Sequence, residues 1–250
     1  MTSPTATHRG FRPVWNSSRG DLTESDVAND AIDGEVDCVF HLAARKSVND
    51  ENPRRQFEEN TEMTYNVLEA MDAAGVSKVA FTSSSTVYGE APRPTPEDYA
   101  PLEPISVYGA SKIADESLLS TYAHTHGMTV WSFRFANIVG PGLRGAVIPD
   151  FIEKLREDPE TLTILGDGLQ EKSYMYIEDC LDAMDHVVER TDRPMNTFNL
   201  GTRTTTSVNR IAESKGGRRN CSETNRPTVR SSVHPRTRCG YDERSRPSRC

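Results

Sequence analysis

Short apolar runs alternate along the chain with stretches in which apolar residues recur every three or four positions, the pattern of strands interleaved with amphipathic helices. DCVFHLAA at 37–44 is the first such run; it ends in small residues and reads as a parallel strand buried on both faces. Phe57, Met63, Val67, Leu68 and Met71 then fall at helical spacing across 56–74, with Gly75 placed as a C-cap. KVAFTSSS at 78–85 reads as the next strand, 113–124 as a helix, and TVWSFRFA at 129–136 as a third strand. Beyond Pro141 the pattern predicts a helix over 148–156, a short strand LTIL at 162–165 turning through Gly166 and Gly168, and an amphipathic helix over 177–189. The fold class expected is α/β, a Rossmann-like doubly wound parallel sheet followed by a smaller mixed α/β region.

After Val208 a helix begins at NRIAES and then loses its apolar periodicity, so the rest is expected to be a disordered tail. Charge divides at the same place. Of 29 basic and 37 acidic residues, 11 basic and four acidic lie after Asn209, leaving 18 and 33 before it. A body this acidic argues against binding nucleic acid, and the basic tail lacks the interleaved aromatics such binding would use. It is compatible with a halophilic source and equally with an ordinary acidic cytoplasmic enzyme. No run of about 18 apolar residues occurs, so no membrane partner is expected, and the reading is cytoplasmic. Five cysteines without CxxC or Cys/His ligand spacing point to no metal. The tail's Arg, Pro, Ser and Cys are also what a shifted reading frame in a GC-rich gene produces.

The candidate chemistry lies at YGASK, 108–112, opening a helix after a strand that ends in serines. Tyr108 and Lys112, four positions apart, share one helical face, where an ammonium is expected to lower the pKa of a phenol. A phenolate so favoured takes a proton from a sugar hydroxyl while a strand-end serine holds the same oxygen. The spacing alone is weak; its place after the serine-rich strand end strengthens it. His41, on an apolar strand, reads as a packed core histidine.

These landmarks, in order, resemble the extended short-chain dehydrogenase/reductase family, in its nucleotide-sugar epimerase/dehydratase branch. GDL at 20–22 resembles the adenine-side element, placing Asp21 and Leu22 at the cofactor. HLAARK at 41–46 resembles the turn along it, adding Leu42, Ala43, Ala44 and Lys46. Asn60 resembles the asparagine of the family's helix motif, with Met63 replacing a usual glycine. SSSTVYG at 83–89 makes Ser84 the catalytic hydroxyl, beside Tyr108 and Lys112. RFAN at 134–137 with Gly140 and Pro141 resembles the substrate loop; GDG at 166–168, YIED at 176–179 and NLG at 199–201 match later landmarks. On the substrate side the resemblance implies Ser84, Tyr108, Asn137 and Val147, with Lys172 where an arginine usually grips a phosphate. Lysine keeps the charge but loses the bidentate fork.

The resemblance implies NAD as cofactor, a nucleoside-diphosphate sugar as partner, and epimerisation through a transient 4-keto sugar, with a homodimer left open. Related dehydratases carry Asp-Glu after the catalytic hydroxyl; Ser85 and Thr86 stand there, which favours epimerisation. The implied organisation is a partial dinucleotide-binding domain over 1–140, a partial substrate region over 141–210 and the tail over 211–250. No glycine-rich phosphate turn precedes Asp21, and the one GxGxxG, at 140–145, lies in the substrate loop. The sheet is therefore expected to lack its first strands, and NAD binding by these 250 residues to be weak. Two readings stay open: an epimerase or a related dehydratase or reductase, and a non-catalytic remnant that cannot hold NAD.

Overall fold

Asn52 caps the longest helix because its side-chain oxygen accepts the Arg55 amide at 3.1 Å and Pro53 follows at the first helical position, where its missing N–H costs nothing. The helix ends at Gly75, whose φ of 73° supplies the left-handed cap. The computed structural model describes residues 19–46, 52–214, 217–220 and 228–231. Two units are formed, one from residues 1–135 and 186–199, the other from 136–185 and 200–250. The first unit thus takes back a segment from beyond the second, a return that no local pattern announces. Among the described residues no helix is long and apolar enough to cross a membrane.

In the first unit the order is α1 (Ser25–Ala31), β1 (Val39–His41), α2 (Pro53–Ala74), β2 (Lys78–Ser84), a 3-10 turn (Ser85–Tyr88), α3 (Val107–Thr125) and β3 (Thr129–Phe135). β1 pairs parallel to β2, and β2 parallel to β3. A fourth strand, β7 (Met195–Leu200), follows β3 in the sheet, in the order β1-β2-β3-β7. Side chains hold that return: Asn196 Nδ2 donates to the Val130 carbonyl at 3.0 Å and Trp131 Nε1 to the Thr191 hydroxyl at 2.8 Å. The core joins Val67, Leu68 and Met71 of α2, Val79 and Phe81 of β2, Leu119 and Tyr122 of α3, and Val130 of β3.

Two expectations need correcting here. The run at 37–44 contributes only three strand residues, and Phe40 is 37% exposed rather than buried. Its apolar pattern anticipated cover on both faces, yet among the described residues β1 pairs with β2 alone. In α2, Phe57 is exposed although its spacing assigned it to the core. The face buried in the first turns is instead polar, formed by Gln56, Asn60 and Thr64.

The second unit contains β4 (Asn137–Val139), α4 (Val147–Glu157), β5 (Thr161–Thr163), β6 (Glu171–Tyr176), most of α5 (Ile177–Val188), β8 (Thr205–Ser207) and α6 (Val208–Ser214). β6 lies between β4, to which it runs parallel, and the antiparallel β8. Phe151, Leu162, Ile164, Ile211 and Ala212 make its core. The tail, expected to be unstructured throughout, adds β9 (Gly217–Asn220) and β10 (Thr228–Ser231), with β10 antiparallel to β5. Backbone pairing at a strand edge needs no apolar periodicity, which is why the pattern missed it. The remainder of the expected tail lies outside the described residues.

Candidate active site

The turn after β2 and the first turn of α3 are built to approach each other closely. Ser84 caps the 3-10 turn, its Oγ accepting from the Thr86 amide at 3.2 Å and the Thr86 hydroxyl at 3.0 Å. With both bonds accepted, the Ser84 hydroxyl hydrogen is left as a donor. Ser106 caps α3 through the Gly109 amide at 3.0 Å, fixing Tyr108 in the first turn. Gly109 then lets the helix against the serine turn: a Cβ there would sit 2.8 Å from the Thr86 carbonyl oxygen and 3.0 Å from Pro104 Cβ. We expect Gly109→Ala to cost about 1–3 kcal/mol, as overpacking does, measured by urea unfolding. A change below about 0.5 kcal/mol, the range of neutral surface substitutions, would show that this approach is not tight.

Lys112 is buried one turn on, with its Nζ 4.4 Å from the Phe81 ring centroid and 5.9 Å from that of Tyr108. Burial pulls its pKa down, while Asp115 and Glu116 push it back up. The Tyr108 phenol is pushed up to about 12, by burial first and by the charge of Asp115 second. This reverses the lowering expected from the Tyr–Lys spacing. The spacing took account of the Lys112 side chain but not of the Asp115 carboxylate 3.6 Å from its Nζ.

Asn60 is a buried mid-helix clamp. Its Oδ1 accepts the Arg45 amide at 2.7 Å, and its Nδ2 donates to the Arg45 carbonyl at 3.2 Å and to Ser111 Oγ at 3.0 Å. Gln56 Nε2 donates to the same carbonyl at 3.0 Å. The 42–46 loop is thereby tied to α2 and, through Ser111, to the turn of α3 that carries Lys112. His41 is buried, its Nε2 3.1 Å from the Thr64 hydroxyl, and desolvation lowers its pKa to about 4. It is neutral and packed, as its apolar strand indicated.

Asp21 is exposed and binds the Thr23 amide and hydroxyl at 3.0 and 2.9 Å, contacts that hold its carboxyl below the usual range. Leu22, Leu42 and Ala43 line an open apolar cleft of about 370 Å³ beside β1, Ala44 is half-buried, and Lys46 is exposed. Asn137, Val147 and Lys172 belong to the second unit. There Asn137 Nδ2 donates to the Ser173 carbonyl at 3.0 Å, Val147 packs on the Phe151 core, and Lys172 is exposed on β6. Ser84, Tyr108, Lys112 and Asn60 are thus gathered on neighbouring elements of one unit, and the three substrate-side residues are held in the other.

Several landmark residues prove to be architectural. Arg134 is buried with Glu116, Nε to Oε1 at 3.0 Å and Nη2 to Oε2 at 2.7 Å, and its Nη1 donates to the Tyr88 hydroxyl at 2.8 Å. That hydroxyl donates in turn to Asn199 Oδ1 at 2.8 Å. Asp115, Glu116, Thr64 and Ser111 were not singled out from sequence. The one available signal was the Asp-Glu pair following Lys112 in an otherwise apolar helix segment. No cluster of three metal-ligating side chains occurs among the described residues.

The β1-β2-β3-β7 sheet, with its parallel β1-β2-β3 ladder and the helices α2 and α3, defines a Rossmann-like α/β class. The chain belongs to the NAD dependent epimerase/dehydratase family, whose model matches residues 2–201. It is 32% identical over 204 residues to a UDP-glucose 4-epimerase of Mycolicibacterium smegmatis, covering 77% of this chain and 63% of that protein. Among solved structures, a UDP-galactose 4-epimerase is 42% identical with a TM-score of 0.67, covering 75% of this chain and 62% of its own. MoeE5, solved with UDP-glucuronic acid and NAD, is 32% identical with a TM-score of 0.69, covering 81% and 70%. The chain therefore spans less than two thirds of the length of the first two.

Proposed function

We propose that the protein carries the catalytic machinery for NAD-dependent 4-epimerisation of a nucleoside-diphosphate sugar of the UDP-glucose type. The observation that supports this reading is that the turn capped by Ser84 packs against the first turn of α3, the helix that carries Tyr108 and Lys112, with Ser85 and Thr86 following the serine. Neither of those two side chains has a carboxylate for the acid/base work of dehydration at C5 and C6, and Thr86 is already engaged with Ser84.

The residues present fit the cofactor in part. The apolar cleft beside Leu22, Leu42 and Ala43 suits a flat ring, and the Asn60 clamp presents the 42–46 backbone in a fixed form. Asp21 and Leu22 would meet the adenine side, Leu42, Ala43, Ala44 and Lys46 the length of the cofactor, and Asn60, Tyr108 and Lys112 its nicotinamide half. NAD, when bound, supplies the acceptor and donor of the C4 hydride. Ser84 donates to the sugar O4 and holds it at Tyr108; Tyr108 takes the O4 proton on oxidation and returns it on reduction. Lys112 favours the phenolate with its positive charge.

UDP-glucose bearing deuterium at C4, incubated with the chain and millimolar NAD, is expected to yield UDP-galactose that keeps the label, because the hydride returns to the carbon it left. Loss of the label to solvent, a 4-keto-6-deoxy product, or no interconversion would overturn the reading.

A further inference from the structure

Asp115 is fully buried, and among the described residues its carboxylate oxygens make no hydrogen bond of good geometry, with the Thr64 hydroxyl and the Lys112 ammonium as their polar neighbours. Lys112 Nζ lies 3.6 Å from Oδ2, too far for a hydrogen bond but close enough for a strong attraction between two side chains almost wholly out of water. The groups facing the carboxylate can be enumerated by element. Its own helix offers Lys112, Glu116 and Tyr108; α2 offers the Thr64 hydroxyl, backed by His41 from β1. β2 contributes the Phe81 ring against Lys112, and Arg134 of β3 is taken by Glu116. Lys112 therefore has one carboxylate to itself.

Burying a carboxylate with so few and such poorly formed hydrogen bonds is costly, and an apolar residue would pack there without that cost. The compensating gain is at Lys112. An ammonium this deeply buried tends to lose its proton, and a neutral amine could not favour the Tyr108 phenolate. We propose that Asp115 is a positioning residue that keeps Lys112 protonated and directed between the Phe81 and Tyr108 rings, and so sets the pH range over which the Tyr108 site works. This rests on the reading of Tyr108 and Lys112 given above.

The test is a pH titration of the lysine 13Cε signals by NMR in the full chain, with Lys112→Met to assign the resonance. In Asp115→Asn the Lys112 midpoint is expected to fall by about one pH unit or more, the usual effect of removing a neighbouring opposite charge, and Asp115→Glu should restore most of it. In the unsubstituted chain the Lys112 signal should also show a second inflection near pH 6, because burial raises the Asp115 carboxyl to about 6. An unchanged midpoint in Asp115→Asn overturns the proposal. If that variant does not fold, a missing inflection in the unsubstituted chain overturns it. The titration uses neither NAD nor a sugar nucleotide, so absent epimerase activity and a failed titration are distinguishable results. In turnover, Asp115→Asn should move the alkaline limb of the kcat profile to lower pH by the same amount, a displacement that a purely structural carboxylate would not cause.

Discussion

Tyr108→Phe is expected to reduce sugar-nucleotide turnover about a hundred- to ten-thousand-fold, the usual contribution of a positioned proton-transfer group. The substitution removes one oxygen and leaves the rest of the ring, so the packing that seats Lys112 beside it is kept. The phenol lies high, at about 12, because burial and Asp115 both disfavour its anion. The phenolate that accepts the O4 proton therefore depends on the positive charge of Lys112, and loss of the hydroxyl removes both the proton's destination and its source. Ser84→Ala should be milder, since it removes one hydrogen bond to the same sugar oxygen while Tyr108 keeps the other. The comparison is made by initial rates at saturating substrate and millimolar NAD. Turnover in Tyr108→Phe equal to that of the unsubstituted chain would remove Tyr108 from the mechanism.

The largest expected effect on stability lies at Arg134. Arg134→Met should lower the unfolding free energy by about 3–5 kcal/mol, because it leaves the Glu116 carboxylate buried without its counter-ion. The arginine is bound through three nitrogens, to both Glu116 oxygens, the Tyr88 hydroxyl and the Glu97 carbonyl. Among the described residues, Ser132 Oγ at 3.0 Å is the hydrogen-bond partner that would remain for Glu116. Replacing both partners by apolar residues, as in Glu116→Leu with Arg134→Met, should recover much of the loss, since the cost comes from the orphaned charge. Urea unfolding of the two variants decides it. A loss below about 1 kcal/mol in Arg134→Met, the level of an exposed pair, would show that the bridge is weakly coupled to the fold.

Arg134 lies in a segment that resembles the family's substrate loop, and Tyr88 in the one that resembles its serine turn. Their side chains instead tie β3, the turn after β2 and β7 together, through Asn199. A motif preserves residues that build a site along with residues that act in it, and contacts separate the two.

The sequence determined the order and type of most elements of the first unit, because the apolar spacing in the second halves of α2 and α3 and the apolar runs in β2 and β3 are local patterns with local causes. It also determined which residues could carry proton transfer, since a tyrosine and lysine four apart on a helix face the same way by geometry alone. It did not determine that β7 joins β3, a pairing made across a segment of other structure, nor that the short β4, β6 and β8 form a separate sheet. Burial of a polar face was equally illegible. Gln56, Asn60 and Thr64 look like a solvated helix surface, and only the fold brings Arg45, Ser111 and His41 to satisfy them. The pKa of Tyr108 was decided in the same way. Spacing fixes which charge is near in the chain, but desolvation and the placement of Asp115 depend on what packs over the helix, and these set the sign of the shift.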